Sequence, residues 1–489
     1  MTLLAGIDLG TTKTTCIAID AKSGELVARA TTSSDAGRLP SSGDVASRSE
    51  WNADALIRCA IDCLRELTEM LGGRVSELAG LGVTGQQHGT VLVDSQRRPL
   101  TPFINWQDQR GNEPCSLAGE EGRTWIEVAR RRLDEESTRR TGCRLNTGFL
   151  ATTMFWLSEN GQLPNRGTAC FLPDLLAATL TESSIVTEPT NAGGSGVFDV
   201  ASRQFDAESI GRLELSPSLF PKVQEADQQV GLVAASFARE LGLPDSLPVF
   251  TAIGDHQASF LGSVANRHES ILLNVGTGAQ VAVFTEGNDY RAPIELRPFP
   301  ISGNLLSNVG LPGGWSFQVV ASLLRGIGCS MFEQNSDEFP YAKMTELAAA
   351  AASGSGGLQF VPTFSGTRSN PQQTGSLVGM TPGNLTPENF VRSVLEGMAR
   401  GFREAYDQIV EVTGQGKTTL AGAGNGLREN AVLAESVAAE FGLTPQLGRH
   451  REEAARGAAL IAAVGTGICG DLDEAGRTLI EYERQPRSR

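Results

Sequence analysis

Two stretches of this chain, roughly half its length apart, repeat one design: an apolar strand, a Gly-Thr turn and a second β-prone run. In the first, Leu3, Leu4, Ile7 and Leu9 make the strand and Asp8 sits near its end. Gly10-Thr11-Thr12-Lys13 turns the chain, and Thr14-Thr15-Cys16-Ile17-Ala18-Ile19 begins the next strand. In the second, Ile271 to Val275 leads through Gly276-Thr277-Gly278 into Ala279 to Phe284. Gly276-Thr277 then falls on Gly10-Thr11, and Asn274 on Asp8. A glycine turn lets backbone N–H groups approach an oxyanion, threonine hydroxyls add donors, and Lys13 adds positive charge. Asp8 suits a hydrated magnesium ion resting on a phosphate better than the phosphate itself. A single copy is explained equally well by a β-hairpin whose turn needed glycine. The repeat argues instead for an α/β chain of two similar domains closing on one nucleotide from both sides.

Two look-alike motifs fail on inspection. Gly416-Lys417-Thr418 resembles the end of a Walker A loop, but position 411 is Glu and the run follows a helical pattern rather than a strand. Ala421-Gly422-Ala423-Gly424-Asn425-Gly426 imitates a dinucleotide fingerprint, yet Leu427 stands where its last glycine belongs. Small residues there suit the approach of an adenine or ribose to the backbone.

A formal charge of −15 argues against nucleic acid or an anionic membrane as the main partner, since both need basic surface. Met1 leads almost directly into a strand, which leaves no room for a signal peptide. The apolar run 457–470 is too short and too rich in Gly and Ala to span a bilayer. The eight cysteines show no C-x-x-C spacing, against both zinc and a disulfide framework. Together these features indicate a cytoplasmic protein. The Pro- and Gly-punctuated stretch 241–247 is the expected boundary, giving domains 1–245 and 246–489.

Between and after the hairpins lie the other candidate site residues. Ser33 to Ser49 is a polar loop ending at Asn52, an N-cap for an amphipathic helix closed by Gly72-Gly73. Thr84-Gly85-Gln86-Gln87-His88-Gly89 joins two strands, and Gln87 and His88 there fit either a ligand site or a satisfied turn. Trp106-Gln107-Asp108 sets an aromatic beside an acid; Trp walls sugar sites but more often packs a core. Thr187 to Val200 reads as turn and strand. Asp255, in Gly254-Asp255-His256-Gln257, follows a strand and precedes a helix, where α/β proteins keep reactive groups; an N-cap role also accounts for it. The run 360–380 carries Pro362, Gly366, Arg368, Pro371, Gly375 and Gly379 and reads as loop. After it Thr386 caps, and Pro387 opens, a long helix ended by Gly414.

Taken in order, these pieces resemble the FGGY family of carbohydrate kinases over essentially the whole chain. The residues that carry it are GIDLGTT at 6–12, GQQHG at 85–89, WQDQR at 106–110 and GDHQAS at 254–259. NVGTG at 274–278, the run 362–379, GAGNGLREN at 422–430 and EEAARGAA at 452–459 complete the set. Within the family these segments look most like the sedoheptulokinases, with xylulokinases next. The resemblance implies ATP and Mg2+ in a cleft between two ribonuclease-H-like domains of the actin and hexokinase type. It implies phosphorylation of a ketose, D-sedoheptulose first, to sedoheptulose 7-phosphate. Asp255 would be the general base and Asp8 the metal residue, acting through water. Gly10, Thr11, Thr12, Lys13, Gly276 and Thr277 would bracket the phosphates. Gly313, Gly314, Gly422, Gly424 and Asn430 would lie near the nucleoside, and Gln87, His88, Trp106, Asp108 and His256 near the sugar. Two departures stand out: Ala421 and Ala423 replace glycines common in the family, and His256 replaces a smaller or apolar residue. Alternatives are a kinase of xylulose, ribulose or glycerol, or a non-enzymatic nucleotide switch of the actin or chaperone type.

Overall fold

The structure, a computed structural model, describes residues 2–39, 48–333, 338–364, 366 and 372–483. Residues 40–47 of the polar loop, and Arg368 and Pro371 of the later one, lie outside the described residues.

The first half is built on β1 (Leu3–Leu9), β2 (Lys13–Asp20), β3 (Leu26–Ser33), α1 (Ala53–Leu71) and β4 (Leu78–Gly85). It continues through α2 (Pro189–Gly193), β5 (Gln229–Leu232), β6 (Pro248–Phe250), β7 (Ile253–Gly254) and α3 (Asp255–Ser263). The Asn52 side chain accepts from Ala55 N at the start of α1, and Gly72 closes the helix, as the sequence suggests. The seven-stranded sheet runs β5-β6-β4-β1-β2-β3, with β7 also beside β4. The sheet therefore continues through Gly254, past the boundary expected after residue 245. Within Thr187 to Val200, which the sequence reads as turn and strand, short strands form at Val186–Thr187 and Phe198–Asp199, but between them the chain makes the short helix α2, with Pro189 in its first turn and Glu188 as its side-chain cap.

The second half repeats the plan with β8 (Ser270–Val275), β9 (Gly278–Thr285), β10 (Glu295–Pro298), β11 (Asn304–Pro312) and α4 (Gly314–Phe332). Then come α5 (Pro387–Thr413), β12 (Thr419–Ala423), α6 (Asn425–Glu429), α7 (Ala431–Phe441), β13 (Gln446–Leu447) and α8 (Glu453–Gly465). Its six-stranded sheet runs β10-β11-β9-β8-β12-β13. Five strands correspond between the two sheets, the first adding β5 and β7 and the second β10. β1 pairs antiparallel with β2 and parallel with β4, while β8 pairs antiparallel with β9 and parallel with β12. β3 and β11 run antiparallel to β2 and β9, and β6 and β13 run parallel to β4 and β12.

α3 and α8 fill the space between the sheets. One apolar cluster joins Leu4, Ile17 and Ile19 of the first sheet to Leu272 and Ala282 of the second through Ala455, Ala459 and Leu460. The approach is close because glycines line it. A Cβ on Gly6 would lie 1.9 Å from the Ala455 carbonyl oxygen, and one on Gly82 1.8 Å from that of Ala458. Gly457 meets Ala258 of α3 in the same way, at 1.9 Å. The small-residue run of α8 is thus a packing device. Among the described residues no helix is long and apolar enough to cross a membrane.

Candidate active site

The two Gly-Thr turns join the antiparallel pairs β1–β2 and β8–β9. At the first, Asp8 stands one residue from the end of β1, and its buried Oδ1 has no hydrogen-bond partner. Burial, reinforced by the charges of Asp255 and Glu452 and opposed by Lys13, raises its pKa to about 7. A desolvated carboxylate without donors fits a cation. Among the described residues no three or more His, Cys, Asp or Glu gather as a metal cage. One carboxylate suits Mg2+, which is held by one or two carboxylates, phosphates and water, better than it suits a fully protein-ligated ion. Lys13 is placed otherwise than the sequence suggests: its Nζ lies 3.0 Å from Glu452 at the start of α8, where Arg29 also pairs. Its charge is therefore largely spent on Glu452.

At the second turn, Gly276 N donates to Gly278 O, while Gly314 N and Trp315 N donate to Gly276 O and Thr277 O, each at 2.9 Å. The N-terminus of the 19-residue helix α4 is thereby docked on the turn, its positive end beside Thr277. Gly313 is needed for this approach, since a Cβ there would lie 2.5 Å from the Gly278 carbonyl carbon. A cavity beside the turn is lined by Thr277, Gly313, Trp315, Ser316 and Phe364. Gly424 has φ +78°, and a Cβ on it would lie 2.5 Å from Val275 O, so it is pressed against the end of β8. Two other residues expected here do structural work. A Cβ on Gly422 would point into Leu447 and Leu427, and the Asn430 side chain caps α7 by accepting from Leu433 N at 3.0 Å.

A second cavity opens between the halves. Gln86, Gln87, His88, Trp106, Asp255 and His256 line it from the first half, and Gln280, Glu295, Arg297 and Val309 from the second. Asp255 is the first residue of α3; its Oδ1 accepts from Gln87 N at 3.3 Å and His256 N at 2.9 Å. Burial raises its pKa to about 6 against the lowering effect of these N–H groups. Gln87 Nε2 donates to Thr190 O at 2.8 Å. The His88 ring stacks on Phe149 at 4.2 Å, and its Nδ1 donates to Gly194 O at 3.0 Å, because a carbonyl can only accept. His256 Nε2 pairs with Ser307 Oγ at 2.8 Å, tying α3 to β11. Trp106 is 47% exposed, so it is a wall rather than a core residue, and its Nε1 donates to Thr11 Oγ1 at 3.0 Å. That bond links the cavity wall to the first turn.

Asp108 is not part of this cavity. It is fully buried, accepts from Ser49 N at 2.8 Å and pairs with Arg110 at 2.7 Å. The acid beside Trp106 is thus a structural ion pair that fixes the loop carrying the Trp. The sequence reading missed Gln280, Glu295 and Arg297. Gln280 follows the second Gly-Thr turn closely enough for that motif to have flagged it. Glu295 and Arg297, paired at 2.8 Å on β10, carried no sequence signal.

The N-terminal domain of the FGGY family of carbohydrate kinases matches residues 3–262, and its C-terminal domain residues 273–466. The xylulose kinase of Lactococcus lactis subsp. lactis is 26% identical over 494 residues, covering 99% of this chain and 92% of that protein. The glycerol kinase of Thermus brockianus is 27% identical over 441 residues, covering 87% and 84%. Among solved structures, xylulose kinase from Rhodospirillum rubrum superposes with a TM-score of 0.85 at 24% identity, covering 99% of this chain and 93% of that one. Gluconate kinase from Lactobacillus acidophilus gives 0.84 at 20%, with the same coverage; these two show the shared fold. With both family domains matched in order around a cleft lined by both halves, the chain belongs to the FGGY family of carbohydrate kinases.

Proposed function

We propose that this kinase transfers the γ-phosphoryl group of ATP to a terminal hydroxyl of a ketose, D-sedoheptulose first. The observation that carries the reading is the Asp255 carboxylate, held by two backbone N–H groups at the start of α3 and facing a polar cavity. Asp255 accepts the hydroxyl proton as the sugar oxygen bonds to phosphorus and ADP leaves with the bridging electron pair. In this transfer positioning and charge neutralisation dominate, and a carboxylate with pKa near 6 is ionised at neutral pH while still basic enough to serve. Mg2+, when bound, would neutralise phosphate charge, with Asp8 holding it through water. Thr11, Thr12 and Thr277 would flank the phosphates, while Gly313 and Gly424 would leave room for the nucleoside.

The sugar assignment rests on the polar lining. Losing Asp108 is offset by Gln280, Glu295 and Arg297, and by Gln86, whose buried Oε1 has no partner. Two extra neutral hydrogen bonds, at about 0.5–1.5 kcal/mol each, separate a seven-carbon from a five-carbon ketose by roughly five- to 150-fold in kcat/KM. The second reading, D-xylulose, is favoured by relatives named xylulose kinases. An acceptor panel of D-sedoheptulose, D-xylulose, D-ribulose, glycerol and gluconate, read by coupled ADP detection, decides between them. D-sedoheptulose is expected to give the highest kcat/KM. Xylulose ahead by about tenfold would overturn the choice of sugar, and glycerol or gluconate ahead would overturn the ketose class.

A further inference from the structure

The segment from Glu188 to Gly194 touches the acceptor site from behind at several points. Glu188, Thr190 and Asn191 are fully buried and do not line the cavity. Thr190 N donates to Glu188 Oε2 at 2.6 Å, and the Thr190 hydroxyl donates to the same oxygen. That hydroxyl, its single proton committed to Glu188, accepts from Gly254 N at 2.8 Å. The Thr190 carbonyl takes the Gln87 side-chain amide at 2.8 Å, and Gln87 N in turn donates to Asp255. Asn191 Nδ2 holds Ala252 O at 2.9 Å, just upstream. The chain leading into Asp255 is thus clamped on both sides of Ile253, and the clamp has a direction set by donors and acceptors.

We propose that Glu188 and Thr190 are positioning residues that hold the Gly254–Asp255 peptide and the Gln87 amide in the geometry phosphoryl transfer requires. This rests on the reading of Asp255 as the base. Thr190 is the junction: its hydroxyl fixes the backbone immediately before Asp255, and its carbonyl fixes the side chain of the residue whose N–H holds the carboxylate. Glu188 orients the hydroxyl so that its lone pair, not its proton, meets Gly254. A merely structural threonine would hold the fold without acting through Asp255, and the two roles differ in kinetics.

The test compares full-length wild type, Thr190→Val, Thr190→Ser, Asp255→Asn and the Thr190→Val/Asp255→Asn double variant, with D-sedoheptulose and D-xylulose as acceptors. Thr190→Val should lower kcat about ten- to a hundredfold, the usual effect of misplacing a reacting group by an ångström. KM for ATP should stay within about twofold, because the nucleotide's partners are untouched. Thr190→Ser restores the hydroxyl and should recover kcat to within about threefold. On the Asp255→Asn background, Thr190→Val should cost less than about threefold, since the group it positions is gone. Glu188→Gln, which keeps an accepting oxygen, and Glu188→Met, which does not, form a second pair should Thr190→Val fail to fold. The former should hold kcat near wild type, and the latter should lower it. Wild-type kcat in Thr190→Val, a Ser variant no better than Val, or a Thr190→Val penalty undiminished on Asp255→Asn would overturn the positioning role alone. Wild-type turnover in Asp255→Asn would overturn the base assignment and the positioning role with it.

Discussion

Replacing Gly313 by alanine tests how α4 is seated on the second turn. The added Cβ would sit 2.5 Å from the Gly278 carbonyl carbon, and relief to an ordinary contact of 3.4 Å requires a shift of about 0.9 Å between two backbone segments. The Gly314 N and Trp315 N bonds to the turn, each 2.9 Å, would stretch to about 3.8 Å and cease to be hydrogen bonds. At about 0.5–1.5 kcal/mol each, their loss removes about 1–3 kcal/mol from the junction that, on the proposed function, would present Thr277 and the helix end to the phosphates. Expressed as binding, that is roughly a five- to 150-fold rise in KM for ATP. Initial rates over a matrix of ATP and sugar concentrations give both constants, and KM for the sugar should move by less than about twofold. Gly326→Ala, on the same helix with nothing within 4 Å of its Cβ, is the control and should leave both constants unchanged. An ATP KM unaltered in a folded Gly313→Ala protein would refute the docking argument.

Three further outcomes are expected. Asp8→Ala should raise the Mg2+ concentration for half-maximal rate by about tenfold or more, and an unchanged Mg2+ titration would remove Asp8 from the metal site. Because only ionised Asp255 accepts a proton, and its pKa is raised to about 6, kcat/KM for the sugar should fall as pH drops through that value and level off above it; an acid limb near the ordinary carboxylate value would contradict the burial argument. Gly82→Ala puts a Cβ 1.8 Å from Ala458 O and should cost about 3 kcal/mol or more, so an unchanged Tm would contradict the packing of α8 on β4.

The duplicated plan was legible because a Gly-Thr turn between strands is a local pattern, and both copies formed as read. Helix caps were legible for the same reason: Asn52, Thr386 and Gly414 act through their immediate neighbours. Asp255 could be singled out by its place between strand and helix. Asp108 and Lys13 could not be placed, because the partners that claim them, Arg110 with Ser49 and Glu452 across the chain, are chosen by tertiary packing. Glu295 and Arg297 were invisible for the opposite reason: nothing on an isolated strand says which face will meet the other half. Glu188 and Thr190 were hidden in a segment that reads as turn and strand, where Pro189 in fact opens a short helix. Asn430 is placed near the nucleoside by the family resemblance alone, and its side-chain oxygen caps α7.

The most direct test of the phosphoryl-transfer chemistry measures sugar phosphate and ADP together, by ³¹P NMR and a coupled assay, for wild type and Asp255→Asn. Wild type should release the two products in equal amounts and only with acceptor present. Asp255→Asn should keep both substrate affinities within about tenfold yet lose about a hundredfold or more in turnover. Comparable turnover in a folded Asp255→Asn protein would contradict the assignment of Asp255 as the base that accepts the sugar's proton.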